Sequence, residues 1–512
     1  MPDLYLSGKK TLIIASRKSD LARLQAQSVA EKLKQIYPEI KIQFHYRESL
    51  GDINLNDPLW KMPEKGVFTE DFYQDLVKHK VDMVVHSWKD LPIEVKSETR
   101  IAATLARADA RDVLLFKKTS VGKNNLKLFT SSPRRIYNLD PFFKWSLPWN
   151  VEQLEFNTVR GNVQTRIRKL LESVETDGLI VAKAALDRLI QSSSEEFRET
   201  REFIKTSLSS LKVQVIPLSQ NPTAAAQGAL AIEIAKDRHE INKILEKINS
   251  KKTYHNVSLE RKILAQYGGG CHQKIGISIF NKNKYQILFL KGLTDQGRVL
   301  DAQKIDTDLN DDQPSGNQFP RTEAQALHKM AEKEILPKEF SLNQQTQQKP
   351  RFFFITKEEC LPNIEKDDVI WTSGIKTWRK LAQKGHWVCG SFDSLGEDAS
   401  PGIDHFFDIQ GKAPWIKITH EKGHESSWAK KCATYQVQYK NLESLYDPKV
   451  NYYYWSHGEL FKSFYEKFPE IKDKYHSGGV GSTLNVLSQY IDSKKIIPCL
   501  NYEDWLKSLT KE

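Results

Sequence analysis

The sequence predicts an α/β protein with several domains, and two features of the chain lead to this prediction. Continuous apolar segments alternate with amphipathic segments in the first part of the chain, which is typical of strands and helices around a parallel sheet. At 512 residues, the chain is also too long for one hydrophobic core, so two to four domains are expected.

The alternation begins with a buried strand at 11–15, and the helix that follows it ends before Pro38. One face of this helix carries Leu21, Leu24, Val29, Leu33 and Ile36. A second strand near 40–46, a helix near 68–76 and a buried strand at 81–85 continue the pattern. The pattern resumes later with a helix that starts at Pro133, a helix around 166–171 and a strand at 178–182.

Composition narrows the class of protein. Hydrophobic residues make up 39% and charged residues 28%, as in a soluble globular protein. The net charge of +11 fits a nucleic acid, an anionic membrane or a polyanionic small molecule as partner. The start of the chain does not resemble a signal peptide, and no apolar run approaches the roughly 20 residues of a membrane span. Five cysteines without CxxC spacing favour a reducing cytoplasm over disulfides or zinc.

Cationic and hydroxyl side chains follow several predicted strands. In an open parallel sheet, ligands bind beyond the carboxyl ends of the strands. The planar guanidinium group of arginine matches a carboxylate or phosphate with two parallel hydrogen bonds. Any one of these arginines alone is best read as a surface residue, but together they indicate a ligand with several acidic groups. The residues are Arg17, Ser19, Thr130, Ser131, Ser132, Arg134, Arg135, Arg160 and Arg166.

Three further residues stand out by their surroundings. Asp90 is a carboxylate among cations, where it either balances charge or meets a positive charge that develops in a reaction. Lys65 precedes a helix on a glycine-containing loop, as in a mobile flap or at an ordinary surface. Cys271 is the only cysteine in the first 350 residues and follows three glycines, so it is a candidate for covalent chemistry or an incidental buried thiol.

These motifs, in this order, resemble those of the porphobilinogen deaminase family of tetrapyrrole biosynthesis. The resemblance covers roughly residues 10 to 300. The matching blocks are 15–19, 51–52, 65–68, 86–92, 130–135, 160–163, 224–230 and 269–271.

The resemblance implies two α/β lobes like those of periplasmic binding proteins, with the active site between them. It also implies a third, small α+β domain, in which Cys271 holds a dipyrromethane cofactor through a thioether. Four porphobilinogen molecules are added to this primer: each loses ammonia to give an azafulvene, which the terminal pyrrole attacks. Water then releases linear 1-hydroxymethylbilane.

The resemblance also implies a role for each residue. Asp90 would face the pyrrole N–H groups and stabilise the cationic azafulvene, while the cations would bind the acetate and propionate side chains. The predicted cofactor- and substrate-binding residues are Arg17, Ser19, Lys65, Ser87, Lys89, Thr130, Ser131, Ser132, Arg134, Arg135, Arg160, Gly161, Arg166 and Arg188.

The predicted domains follow from the same resemblance and from changes in composition. Domain 1 comprises 1–113 and 212–240, domain 2 comprises 114–211, and domain 3 comprises 241–305. A polar linker is predicted at 306–350, before an extra α/β domain at 351–512. The order of its pieces resembles uroporphyrinogen-III synthase, which would make it a domain that cyclises or channels the bilane. A single lobe of that enzyme, a non-catalytic relic and an unrelated α/β domain remain the alternatives.

The chain also departs from the family pattern. Asp20, Leu50 and Pro133 replace the usual residues, and Met62 to Glu64 replaces a glycine-rich stretch. The segment 138–151 is unlike the usual helix of the family.

Two other functions remain open from the residues alone. A two-lobed, non-catalytic binding protein for a polycarboxylate explains the arginines but neither Cys271 nor Asp90. A nucleic-acid protein would carry a basic stripe with exposed aromatic residues, instead of clusters at strand ends. We therefore expect a cytoplasmic, monomeric enzyme with a small-molecule substrate, without a nucleic-acid, membrane or metal partner.

Overall fold

The computed structural model describes residues 11–48, 70–94, 96–268, 273–307, 319–340, 349–409 and 411–510. It confirms a mixed α/β protein. Among the described residues, no helix is both long enough and apolar enough to cross a membrane.

The first sheet has five strands in the order β2-β1-β3-β10-β4. Strand β1 runs parallel to β2 and β3, whereas β10 runs antiparallel to β3 and β4. Its elements are β1 (Thr11–Arg17), α1 (Asp20–Ile36), β2 (Lys41–Arg47), α2 (Glu70–Val77), β3 (Met83–Ser87), β4 (Thr99–Ala103) and β10 (Leu230–Ala235).

Apolar spacing determines how α1 packs on this sheet. Leu24, Val29 and Leu33 recur at helical spacing and are buried, as the sequence predicts. Ile36, which was predicted on the same face, is 44% exposed because it is the last residue of the helix. Strand β3 is apolar and buried at Met83 to Val85, which is typical of a central strand covered on both faces.

The second sheet also has five strands, in the order β7-β6-β8-β5-β9. Strand β6 is parallel to β7 and β8, and β5 is antiparallel to β8 and β9. Its elements are β5 (Asp112–Lys117), β6 (Asn125–Phe129), α3 (Pro133–Ser146), β7 (Gln153–Asn157), α4 (Val163–Glu172), β8 (Gly178–Ala182), α5 (Lys183–Gln191), α6 (Arg198–Ser209) and β9 (Leu211–Ile216).

The chain crosses between the two sheets twice, at 104–111 and again at 217–229. The predicted boundaries, after residue 113 and before residue 212, were therefore wrong by a few residues. They cut through β5 and β9, which pair with each other along their whole length in the second sheet.

A small antiparallel sheet, in the order β11-β12-β13, follows two helices. The second of these helices packs on β11, whereas the first buries Ile241 and Leu245 in the core of the first sheet. The predicted start of domain 3 at residue 241 was therefore too early. The elements are α7 (His239–Glu246), α8 (Lys251–Ala265), β11 (Gly276–Lys282), β12 (Tyr285–Leu293) and β13 (Val299–Thr307).

Much of the predicted linker is not a linker. Residues 319–320, 324–325 and 332–337 are strands that pair with strands about 100 or more residues further along the chain. Local polarity cannot reveal such pairing, because a strand at the edge of a sheet has a polar sequence whenever its side chains face water.

The C-terminal part, by which we mean the described residues between 319 and 510, forms two main sheets, whereas the sequence predicts one domain. One has the order β15-β22-β23-β24 and is parallel; the other has the order β16-β21-β20-β17-β18-β19. The strands are β14 (Phe319–Pro320), β15 (Ala324–Gln325), β16 (Glu332–Pro337), β17 (Phe352–Ile355), β18 (Val369–Thr372), β19 (Gly390–Ser391), β20 (Trp415–His420), β21 (Lys430–Lys440), β22 (Tyr452–Trp455), β23 (Tyr475–Gly479), β24 (Ile496–Cys499) and β25 (Leu509–Thr510). The helices are α9 (Ile375–Gln383), α10 (Gly458–Tyr465), α11 (Ser482–Tyr490) and α12 (Tyr502–Lys507).

Candidate active site

Predicted site residues from both five-stranded sheets surround Arg166, and their charges shift its pKa. Burial is the main cause that lowers the pKa of Arg166 to about 10, and the positive charges of Arg135, Arg160 and Arg17 lower it further. The charge of Asp90 opposes this shift. Because such effects require proximity, the structure gathers five predicted residues from separate segments of the chain into one charged group.

Arg166 lies on α4, and the loop before that helix holds its guanidinium group. The Nε of Arg166 donates a hydrogen bond of 2.7 Å to the carbonyl oxygen of Gly161. Gly161 has a φ of +111°, a conformation that strongly favours glycine. The side chain of Asn162 caps α4 by accepting a 2.9 Å hydrogen bond from the backbone N–H of Thr165.

The loop after β6 is tied to the loop after β7 through Ser131. The hydroxyl of Ser131 donates to the carbonyl oxygen of Val159 at 2.7 Å and accepts from its N–H at 3.0 Å. This contact places the start of α3 beside Arg160, the next residue in the chain. The Ser131 hydroxyl thus has a structural partner in addition to its predicted role as a ligand-binding group.

The neighbouring hydroxyls organise the start of α3. Ser132 is the N-cap and accepts a hydrogen bond from the N–H of Arg135 at 3.4 Å. The buried hydroxyl of Thr130 accepts from the N–H of Ser132 at 3.3 Å. The helix begins at Pro133, as the sequence predicts.

Asp112, which the sequence motifs did not predict as a site residue, is fully buried at the start of β5. Its carboxylate accepts hydrogen bonds from Arg134 Nη2 at 2.9 Å, and from Arg135 Nη2 at 2.7 Å and Nε at 3.1 Å. Burial alone would raise the pKa of Asp112, but the two guanidinium groups outweigh it and hold the pKa far below its usual range. The sequence signal was a charged run, 107–112, directly before a buried strand.

This arrangement changes the expectation for Arg134. Its Nη1 donates to the side-chain oxygen of Asn221 at 2.7 Å and to the carbonyl oxygen of Pro222 at 2.9 Å. Arg134 thus joins the second sheet to the 217–229 crossing, which spacing in the sequence could not reveal.

Lys89 belongs to the same network through one glutamine. Its ammonium group donates to the Oε1 of Gln227 at 3.2 Å, and the Gln227 amide nitrogen donates to Asp112 Oδ1 at 2.8 Å. Burial lowers the pKa of Lys89, and the nearby charge of Asp90 opposes that shift. Asp90 itself is exposed, at the end of a short 3₁₀ turn that starts at Trp88.

A buried pair lies beneath that turn. His86 Nε2 lies 2.9 Å from Glu233 Oε2, and the hydroxyl of Thr99 donates to the other carboxylate oxygen at 2.6 Å. Burial would raise the pKa of Glu233, yet the contacts with His86 and Thr99 lower it. The end of β3 is thereby held against β10 and β4.

The remaining predicted residues have diverse surroundings. Ser87 shares a 2.9 Å hydrogen bond with the side chain of Gln25, and Ser19 begins α1 without a side-chain capping bond. Arg188, on α5, donates at 2.8 Å to the carbonyl oxygen of Gly228, and burial lowers its pKa to about 10. Its partner therefore comes from the crossing segment and not from the group around Arg166.

Lys65 and Cys271 lie outside the described residues. On the two sides of Cys271, the amide of Gln273 donates a hydrogen bond to the carbonyl oxygen of Tyr267. A few residues later, a Cβ placed on Gly276 would lie 3.0 Å from the side chain of Arg134. The strand that follows the predicted attachment site therefore packs directly against Arg134. We call Arg134, Arg135 and their shared partner Asp112 the arginine network.

We predict that Asp112→Asn destabilises the protein by about 3–5 kcal/mol at pH 7, because two guanidinium groups would stay buried without their carboxylate. A carboxylate whose pKa is lowered by folding contributes stability above its unfolded pKa of 3.8 and loses it as pH falls. The difference from wild type, measured by urea unfolding, should therefore shrink below about pH 4.

The matched control is Asp140→Asn, which removes one partner of an exposed helical ion pair with Lys144. It should cost about 0.3–0.5 kcal/mol. Equal effects of the two substitutions would contradict the central role of Asp112.

Comparison with known proteins agrees with this geometry. Residues 12–243 match a family model described as porphobilinogen deaminase, dipyromethane cofactor binding domain. The chain is 32% identical over 312 residues to a porphobilinogen deaminase of Clostridium novyi, covering 58% of this chain and 96% of the relative. It is 36% identical over 273 residues to one of Caldicellulosiruptor saccharolyticus, covering 52% and 84% respectively. A probable porphobilinogen deaminase of Picrophilus torridus is 32% identical over 302 residues, with coverage of 58% and 95%. This chain therefore belongs to the porphobilinogen deaminase family.

Proposed function

We propose that this protein is a hydroxymethylbilane synthase, a transferase that condenses four porphobilinogen molecules and releases linear 1-hydroxymethylbilane. The observation that carries the proposal is the group of cationic side chains around Arg166, with Asp90 beside them. Porphobilinogen carries an acetate and a propionate, so a growing chain of pyrroles needs many cations and one site for positive charge. A simple polycarboxylate-binding protein would not require the carboxylate of Asp90.

The residues of this site fit a dipyrromethane cofactor. The pKa of Arg166 is lowered partly by neighbouring cations, so carboxylate groups placed between these cations would relieve the repulsion. Arg17, Arg160 and Arg166 are the residues that we assign to the acidic side chains, with Lys89 nearby. When bound, the cofactor supplies the pyrrole carbon to which the first substrate is joined.

Asp90 is the proposed catalytic residue. It is exposed on a turn whose base is held by the buried His86–Glu233 pair, so its position is supported from below. A carboxylate fixed in this way stabilises positive charge that develops on a substrate pyrrole. The neighbouring cations orient the acidic side chains and thereby place the pyrrole against Asp90.

We expect Asp90→Asn to lower kcat by about 10²–10³-fold while it changes KM much less, because the amide keeps the shape but loses the charge. The measurement is steady-state formation of hydroxymethylbilane. Asp71→Asn, at an exposed position on α2, is the control and should behave like wild type. A kcat near normal for Asp90→Asn would refute the catalytic role.

We further propose that Cys271 carries the cofactor through a thioether. The hydrogen bond between Gln273 and Tyr267 and the contact of Gly276 with Arg134 support this assignment. The first joins the segments on the two sides of Cys271, and the second brings the strand that follows close to Arg134.

The test is the intact mass of the denatured protein and of Cys271→Ser. We expect the wild type to exceed its sequence mass by one dipyrromethane and the variant to lack this excess. Cys432→Ser, which removes a half-buried thiol in β21, should keep it. An unmodified wild type after incubation with porphobilinogen would instead support a non-catalytic polycarboxylate-binding protein.

The sheets suggest the domain organisation of this enzyme. We propose that the two five-stranded sheets are lobes like those of periplasmic binding proteins, linked by the crossings 104–111 and 217–229, and that β11 to β13 form the cofactor-carrying domain. The cations gather at loops in place of an extended stripe, which favours a small-molecule substrate over a nucleic acid. A cytoplasmic monomer remains our expectation.

A second function is proposed for the C-terminal part: it receives the bilane and cyclises or channels it. Strands β16 and β21 form an antiparallel ladder at the edge of the six-stranded sheet, next to the points where the chain enters and leaves the four-stranded sheet. A chain that crosses twice between two α/β sheets commonly forms a ligand-binding crevice between them.

Cations and histidines from both C-terminal sheets lie near one another there. Burial lowers the pKa of Lys357 to about 8, and the charge of Lys333 lowers it further. Burial also holds the pKa of His457 well below its usual value, with contributions from both lysines and from His420. The hydroxyl of Tyr439 lies 2.9 Å from His457 Nε2. Cations held close to one another, beside neutral imidazoles, favour an anionic ligand.

We expect Lys357→Gln to leave bilane formation intact but to change how the product cyclises. Porphobilinogen is converted by the full chain, and the porphyrin isomers are separated after oxidation. Wild type should yield mainly isomer III, and the variant should yield more of isomer I, which forms spontaneously. Lys449→Gln, at an exposed site, is the control. Identical isomer ratios for wild type and Lys357→Gln would overturn this assignment.

A further inference from the structure

The second sheet of the deaminase half ends in an open edge that the C-terminal part covers. Strand β9 is the last strand of its sheet, and β19 is the last strand of the six-stranded sheet. The N–H of Val215 donates to the carbonyl oxygen of Cys389 at 2.7 Å. The side-chain amide of Gln214 donates to the carbonyl oxygen of Val388 at 3.2 Å. The edges of the two sheets therefore meet, and this contact covers part of the edge strand β9.

Trp387 reinforces this junction. Its indole N–H donates to the carbonyl oxygen of Val213 at 3.0 Å. Its ring lies 5.6 Å from Phe116 and 6.1 Å from Trp149, both of the deaminase half. Such aromatic contacts combine a large buried apolar area with a defined geometry.

A second anchor lies at the end of α3. Trp378 of α9 is completely buried, and its indole N–H donates to the carbonyl oxygen of Ser146 at 3.0 Å. Phe142 and Trp145 pack around its ring, with centroid distances of 5.5 and 6.3 Å. The guanidinium group of Arg379 lies 4.7 Å above the ring of Trp145.

These two anchors hold elements that also carry the deaminase site. Helix α3 starts with Ser132, Arg134 and Arg135 and ends against Trp378. Strand β9 pairs with β5, which begins with Asp112. The C-terminal part holds the end of α3 and the outer edge of β9. This restricts the movement of the charged groups at the start of α3 and at the start of β5.

We infer that the C-terminal part acts as a built-in support for the second sheet of the deaminase, with Trp378 and Trp387 as its anchors. The inference rests on the proposed function only for its effect on activity. Trp378 and Trp387 are positioning residues, since they act on substrate through α3 and β9.

The experiment compares full-length Trp378→Phe and Trp387→Phe with wild type. Each variant keeps an aromatic ring but loses the indole N–H and its hydrogen bond. We expect faster hydrogen exchange in α3 and β9, and a rise in KM for porphobilinogen on the order of tenfold, with a smaller change in kcat.

The control is Trp505→Phe, which alters a buried tryptophan that packs on Tyr452 and Tyr454, in the C-terminal part. It should leave exchange in α3 and β9, and KM, unchanged. The inference is overturned if both interface variants exchange like wild type, or if the control loosens α3 and β9 equally. Hydrogen exchange is read without turnover, so a failure of the proposed activity would not be mistaken for a failure of this inference.

Discussion

The buried carboxylate of Asp112 is the interaction on which the deaminase half depends. It accepts hydrogen bonds from Arg134, Arg135, Asn221 and Gln227, each at 2.7–3.1 Å. The two arginines come from the second sheet, whereas the two amides come from the segment that returns to the first sheet. One charge therefore joins α3 to the 217–229 crossing, and without it the two buried arginines would repel each other.

Two kinds of arginine lie close together here. Arg134 is paired with a carboxylate, whereas Arg166 lies among other cations. Arg134 is bound to Asp112 and to backbone oxygen atoms, so it stabilises the fold. Burial is the main cause of the lowered pKa of Arg166, and the mostly positive charges around it lower the pKa further. Crowded positive charges destabilise the folded protein. Binding of an acidic ligand would offset this cost, because the ligand favours the charged form of every arginine. We therefore propose that anionic ligands bind to the cations that Asp112 does not neutralise.

The sequence predicts local features of this protein well and long-range ones poorly. Strand β8 was predicted with its observed bounds, and the helix start at Pro133 was confirmed, because apolar runs and proline act on adjacent residues. Asp112 was missed because its partners lie 22 to 115 residues away. Strand β16 was read as linker for the same reason, since its partner β21 follows about 100 residues later. Periodicity contains no information on such partners.

Aromatic residues of the segment 138–151 pack against Trp378, a partner far along the chain. The relative from Clostridium novyi is matched over 96% of its length by 58% of this chain, so it has no counterpart of the C-terminal part. In this chain, Phe142 and Trp145 have an apolar partner. Phe142 and Trp145 therefore mark the surface of α3 that the C-terminal part covers.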